Sequence, residues 1–214
     1  MLTRFERPLT HDEQLHLRTR LANARGESRR AVLKAGGASA AVCGPLGAAT
    51  LLLSDAPRQV VLLFWFSLWL LFTLWIGLPW RKLMRDQIPV LEDGLRTSRV
   101  RVIRLQSSRV VEFAEEEDEG ACYAFEHDGD SSVFVVGQEF YEDDDFPNTD
   151  FSMVEILGAA GGPIDVLLKK DGRKLPPERV IAASVKNGLE LPQHLDVLPV
   201  ALDRLERTLR PARR

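Results

Sequence analysis

The sequence predicts an α+β membrane protein. A two-helix transmembrane hairpin carries a mainly β cytoplasmic domain, a small barrel or sandwich, with amphipathic helices on either side. Three observations lead there. Residues 35–53 and 60–80 contain no charged side chain, and about 20 apolar residues cross a bilayer core. Downstream of them, apolar residues alternate with period two between tight-turn dipeptides, the mark of half-buried strands. The charges are sorted into blocks, so the formal net charge of -3 over 214 residues conceals large local values.

Residues 1–34 form a basic N-terminal segment with eight Lys or Arg. Thr10 and Glu13 stand at capping-box spacing and start a helix through Leu15, Leu17 and Leu21. Residues 35–80 are the predicted transmembrane hairpin. Its second run, 60–80, is rich in Leu, Phe, Val and Ile, with only Ser67 and Thr73 polar, a composition that favours insertion. Trp65, Trp75 and Trp80 lie towards its ends, suited to headgroup hydrogen bonds, and the central Trp69 to packing. The first run, 35–53, is rich in Gly and Ala. Gly36, Ala40, Gly44 and Ala48 repeat every four residues, a smooth stripe that lets a second helix approach. Pro45 removes one helical hydrogen bond and predicts a kink. Six residues separate the runs, which forces an antiparallel hairpin.

Basic residues flank the hairpin on the outer sides of both runs. Arg81, Lys82 and Arg85 follow the second run, whereas the short loop has only Arg58. The positive-inside rule then places both termini in the cytoplasm, with two crossings of the plasma (inner) membrane. Arg81, Lys82 and Arg85 are the expected contacts with lipid headgroups, in a juxtamembrane linker over 81–98. Cys43 and Cys122 are too separated in this topology to pair, in keeping with a reducing compartment.

Residues 99–195 are read as the β domain. Candidate strands are 99–102, 109–113, 121–127, 131–138, 151–157 and 164–169, with turns at Asp128-Gly129, Asp171-Gly172 and Asn187-Gly188. A two-residue loop at Asp128-Gly129 would set Tyr123 opposite Phe134 and Cys122 opposite Val135. Both faces of that hairpin are apolar, so it is expected at the centre of its sheet. Residues 110–168 carry seventeen acids and no base, between basic flanks of +5 each. Cross-strand pairing with those flanks is one account; an acidic face for a cationic partner or a divalent ion is another. Residues 196–214 are read as an amphipathic helix. Its stripe is Leu198, Leu202, Leu205 and Leu209, and its ion pairs are Asp203–Arg207 and Glu206–Arg210.

No catalytic residue is predicted. Cys122 and His127 would face opposite sides of a strand, and no phosphate loop, nucleophile elbow or dinucleotide fingerprint is present. His11 and His16 are five apart, off the spacing that ligates zinc from a helix. No cofactor, no resident metal and no nucleic-acid partner is expected. The most unusual stretch is 139–151. Glu139, Phe140, Tyr141, Asp143, Asp144, Asp145, Phe146, Asp150 and Phe151 form a candidate partner-binding set there. Phe146 and Phe151 would anchor the loop while its acids face a basic peptide. An EF-hand is excluded, because no Gly stands sixth from Asp143 and Val154 is twelfth.

The leading functional expectation is a membrane-anchored cytoplasmic binding or scaffold module. Its partners are the lipid bilayer and either a protein or further copies of itself. One alternative is a small subunit of an oligomeric transport or channel assembly, and a weaker one a metal-dependent hydrolase using the acidic loop.

Overall fold

The computed structural model describes residues 1–54, 56–115 and 120–209. It has two compact units. One is made of Pro8–Arg99 with Leu157–Ile164, the other of Met1–Arg7, Val100–Ile156 and Asp165–Arg214.

The first unit is built on two long helices, α1 (His11–Leu53) and α2 (Arg58–Thr97). The predicted capping box is present at its start. The Thr10 hydroxyl accepts from the Glu13 amide, and the Glu13 carboxylate accepts from the Thr10 amide. Both helices run on past the apolar segments. α1 joins 11–34 to 35–53 without a break, and α2 continues through Arg81–Thr97, the stretch read as a linker. At 1.5 Å per residue each spans roughly 60 Å, about twice a bilayer core. Pro45, Pro79 and Pro89 all lie inside continuous helix. α2 ends at Ser98 in the left-handed region, whose N–H bonds the Gly94 carbonyl.

The buried face of α1 changes its repeat along its length. Leu17, Leu21, Ala24, Ser28, Ala31 and Ala35 are spaced alternately by four and three, as in a coiled-coil seam. Beyond Ala35 the buried residues are Gly36 and then Ser39, Cys43 and Gly47, the last three continuing from Ala35 at one every four. The polar half therefore packs as a heptad seam and the apolar half as a small-residue stripe.

The second unit is a β-sandwich, one of the two predicted forms. One sheet has the order β1-β2-β6-β7, from β1 (Leu2–Pro8), β2 (Arg99–Gln106), β6 (Asp150–Leu157) and β7 (Pro163–Lys170). The other has the order β8-β3-β4-β5-β9, from β3 (Val110–Phe113), β4 (Ala121–His127), β5 (Ser131–Gly137), β8 (Arg179–Ile181) and β9 (Val197–Leu198). The six strands expected from alternation are all present. β1 was not expected; it occupies the edge beside β2, and the Gln106 amide bonds the Met1 carbonyl.

The β4–β5 hairpin is central in its sheet, as its two apolar faces require. Its register differs by one from the expected one: Tyr123 faces Val135, Cys122 faces Val136 and Ala124 faces Phe134. The cause is a three-residue loop. Asp128 and Gly129 both have positive φ, at 53° and 74°, and Asp130 is added before Ser131 pairs with His127.

Two apolar layers follow. Between the sheets lie Ile103, Leu105, Tyr123, Phe125, Val133, Val135, Phe140, Phe146, Phe151 and Met153. On the other face of the five-stranded sheet, Val111, Phe113, Cys122, Ala124 and Phe134 are covered by Leu202, Leu205 and Leu209. The predicted C-terminal leucine stripe thus docks within the chain. The helix is much shorter than expected, however: Val197–Leu198 is strand, Leu202–Arg204 a 3-10 turn, and α4 only Leu205–Thr208. The expected Asp203–Arg207 pair is not found among the described residues, and the expected Glu206–Arg210 pair falls on a residue outside those described. Asp203 bonds Arg109, and Glu206 pairs with Arg179.

Candidate functional site

The acidic-aromatic segment is built from inside outward. Phe140, Phe146 and Phe151 have no exposed surface and sit in the inter-sheet core. Phe146 meets the rings of Tyr123, Phe125, Phe140 and Phe151 at 5.2–6.3 Å between centroids. Aromatic rings crossing at these distances add to the gain from burial alone. The backbone between them is organised by two short side chains. Asp143 Oδ1 accepts from the amides of Asp145 and Phe146, both at 2.8 Å. Asn148 is buried; its amide nitrogen donates to the Asp145 carbonyl, and its oxygen accepts from the Asp150 and Gly172 amides. Gly172 is required at this place, because a Cβ there would lie 2.6 Å from Asn148 Oδ1.

Half of the six acids in the segment have basic partners. Asp150 receives both arms of Arg104 and the Gln106 amide, and Arg104 holds its carboxyl below the usual range. Asp143 pairs with Lys170, which lowers its pKa. Glu142 pairs with Lys174 at 2.9 Å, and the Tyr141 hydroxyl bonds Glu115. Glu139, Asp144 and Asp145 remain exposed, with Tyr141 beside them. The candidate set is therefore brought together in space but divided in role: three aromatics in the core, two acids in ion pairs, and Glu139, Tyr141, Asp144 and Asp145 at the surface. Among the described residues no group of three or more His, Cys, Asp or Glu is placed to hold a metal ion.

The same pairing extends along the domain. Bases from the flanking blocks meet acids of the middle block: Arg101 with Glu155, and Arg109 with Glu126. Arg109 also binds Glu178 and Asp203, and these carboxylates raise its pKa. The charge blocks are thus largely complementary strands facing one another. Glu116, Glu117, Asp118 and Glu119 lie outside the described residues. Glu112 is the exception in kind: burial raises its pKa, with Glu142 adding to the effect.

A polar cleft of about 580 Å³ lies in the same unit, and nothing in the sequence pattern pointed to it. Arg4, Glu6, Arg101, Glu155, His194 and Asp196 supply its charged and polar lining. Arg4 donates to the Leu195 carbonyl, and Leu195 holds a left-handed φ of 64°. His194 Nδ1 accepts from the Val136 amide at 3.1 Å, so the neutral ring carries its proton on Nε2. The ring stacks on Phe140 at 5.3 Å, and burial lowers its pKa. Cys122 is buried in the other apolar layer.

The helical unit has a different chemistry. Both helices are long and apolar enough to cross a membrane. Their apolar side chains are not buried: Leu63 is 66% exposed, Phe64 60% and Trp75 69%. The two helices touch along one narrow face. A Cβ on Gly77 would sit 3.0 Å from Val32 Cα, and one on Gly47 3.2 Å from Trp65. Trp69 Nε1 donates to the Gly36 carbonyl at 2.9 Å, the packing role expected for it. Trp65 is a correction: its Nε1 donates to Thr50 Oγ1 inside the hairpin, not to a headgroup.

The predicted stripe is displaced by one residue. Of Gly36, Ala40, Gly44 and Ala48, only Gly36 lies in the contact face, against Thr73 and Trp69. The working stripe is Ala35, Ser39, Cys43 and Gly47, one step of 100° around the helix. In a run this rich in small residues either stripe admits a neighbour; Trp65 seats on Gly47 of the working stripe, and Trp69 on Gly36 of the predicted one. Ala40, Gly44 and Ala48 stay exposed along an apolar groove.

Compared with protein-family models, curated proteins and solved structures, the chain matches none of them. Function is therefore read from these surfaces.

Proposed function

We propose that the protein is a two-pass membrane protein of the plasma (inner) membrane that holds a β-sandwich binding module at the cytoplasmic face. One observation carries this reading. The helical unit leaves Leu62, Leu63, Phe64, Phe66, Leu71 and Trp75 exposed, a surface that water disfavours and lipid accepts. Buried core helices have the opposite distribution. The basic residues on the outer sides of both apolar runs orient the hairpin with both termini in the cytoplasm. The module's partner face is Glu139, Tyr141, Asp144 and Asp145, held on a loop that Phe140 and Phe146 pin to the core. A cationic protein segment fits it.

Reporter fusions test the topology. A reporter at either terminus is expected to be cytoplasmic, and one inserted at Ala56 on the opposite side. A reporter that places the C-terminus outside the cytoplasm refutes the reading. Affinity purification from solubilised membranes, with the E139Q/D144N/D145N variant as control, tests the partner face.

A second reading, a small subunit of an oligomeric transport or channel assembly, is favoured by the open stripe of Ala40, Gly44 and Ala48. Two helices enclose no pathway, so several copies would be needed. No acid or base occurs within 35–53 or 60–80, which argues against an ion relay. The hydrolase reading gains no support, because the Asp143 and Asp150 carboxylates are held by Lys170 and Arg104.

A further inference from the structure

Many of the bases of this chain have acidic partners. In the sandwich, Arg101, Arg104, Arg109, Lys170, Lys174 and Arg179 all meet carboxylates. On the helices, Arg25 meets Glu92 and Lys34 meets Glu27. Arg29, Arg30, Arg81, Lys82 and Arg85 are different: all five are exposed, and among the described residues none has an ion-pair or side-chain hydrogen-bond partner. They stand at one level of the hairpin. Ser28 Oγ donates to the Arg81 carbonyl, which sets Arg29 and Arg30 of α1 at the same height along the hairpin as Arg81 and Lys82 of α2. Along α2 the set covers five residues, roughly 6 Å of rise. This collar sits where the uncharged runs 35–53 and 60–80 end.

An apolar groove of about 450 Å³ runs up to the collar on α2, lined by Trp75, Ile76, Pro79, Trp80 and Leu83. Lys82 is seven residues after Trp75, two helical turns, and so lies at the groove's edge, with Arg81 and Arg85 on the adjoining face. An open apolar groove about 12 Å long, bordered by unpaired cations, suits one class of molecule: an anion with a hydrocarbon tail attached.

We infer that the collar and groove form a site for an anionic phospholipid, with the headgroup attracted by the collar of Arg29, Arg30, Arg81, Lys82 and Arg85, Lys82 nearest the groove, and an acyl chain laid along Trp75 and Trp80. The inference rests on the proposal that the hairpin spans a bilayer, and goes beyond it in requiring lipid selectivity. Each base near an anionic surface strengthens binding severalfold, and the aromatic groove keeps the tail against the protein.

The full chain, reconstituted in phosphatidylcholine vesicles, is titrated with phosphatidylglycerol or phosphatidylcholine brominated on the acyl chain. Quenching of the tryptophans, all four on α2, is the readout. Brominated phosphatidylglycerol is expected to associate at least about five-fold more strongly, the factor one fully engaged base supplies. R81Q/K82Q/R85Q is expected to lose most of that preference, and R29Q/R30Q added to it the remainder. R18Q/R173Q/R207Q, which removes three other cations, is expected to keep it. Equal quenching by the two lipids overturns the inference while leaving the spanning hairpin intact. Absence of quenching by either lipid refutes the hairpin itself. Retention of the preference in the collar variant, or its equal loss in the control, also overturns the inference. Displacement of the lipid by glycerol phosphate or by an acidic peptide would assign the collar to a soluble anion and overturn it too.

Discussion

Phe146→Ala separates an anchored loop from a peripheral one. The Phe146 ring is fully buried and meets four other aromatic rings. Burying an aromatic side chain removes roughly 150–250 Å² from water. At about 25 cal/mol per Å² this is worth roughly 4–6 kcal/mol as an upper value. Measured losses for Phe→Ala in cores are about 3–5 kcal/mol. Domain stabilities are of order 5–15 kcal/mol, so the variant should lose a large part of the sandwich's stability. Hydrogen exchange of the full chain in detergent, read by mass spectrometry on peptides covering β4 and β5, is the assay. Exchange through global opening should accelerate by about 10²–10³-fold, at 1.4 kcal/mol per tenfold. Phe146→Leu should recover more than half of the loss. Asp144→Ala, at an exposed site two residues away, should change stability by less than about 0.5 kcal/mol. If Phe146→Ala loosens only residues 141–149 and leaves β4 and β5 as they were, the segment is not part of the core and the reasoning fails.

Other expectations follow from the same geometry. Gly77→Val should destabilise the hairpin by about 1–3 kcal/mol, since its Cβ alone would stand 3.0 Å from backbone on α1. Gly44→Val meets nothing within 4 Å and should leave the thermal midpoint in detergent unchanged. Trp69→Phe removes the bond to the Gly36 carbonyl and should cost about 1 kcal/mol in the same melt. Asp143, Asp150, Glu178 and Asp203 have pKa values lowered in the folded state, chiefly by hydrogen bonds from Lys170, Arg104 and Arg109. Their contribution is full above the ordinary carboxylate range and is lost as pH falls through the lowered values, so melts should fall steeply below about pH 4. His194 shifts the same way through burial, and protonation destroys its acceptor for the Val136 amide. Its share of stability should be lost as pH falls below about 6.5, and His194→Gln should remove that step; an unchanged pH profile refutes the role.

Local chemistry was legible in the sequence wherever one residue's neighbours along the chain decide the outcome. Thr10 and Glu13 cap α1 because the two groups are three residues apart on a helix start. Alternation at 99–102, together with apolar runs bounded by turn dipeptides, placed six of the nine strands among the described residues, since these signals act between near neighbours. Lack of charge over 35–53 and 60–80 marked both apolar segments, because hydrophobicity is a property of composition. The aromatic anchoring of 139–151 was also legible, as Phe146 and Phe151 had no other reason to interrupt an acidic run.

Tertiary structure decided everything that depends on a partner distant in sequence. β1 carries little pattern of its own and exists as a strand because β2 offers its edge. Whether an acid is a site or half of an ion pair turned on Arg104 and Lys170, residues with no sequence relation to Asp150 and Asp143. The contact stripe on α1 lies mostly one residue away from the expected one, with Trp65 of α2 seated closely on Gly47, while Trp69 meets Gly36 of the expected stripe. The cleft around His194 and the collar at Arg29, Arg30, Arg81, Lys82 and Arg85 likewise appear only once separate segments meet. Propensity and hydrophobicity act between near neighbours and can be read along a chain; pairing, register and unpaired charge are relations between surfaces, and they come into being with the fold.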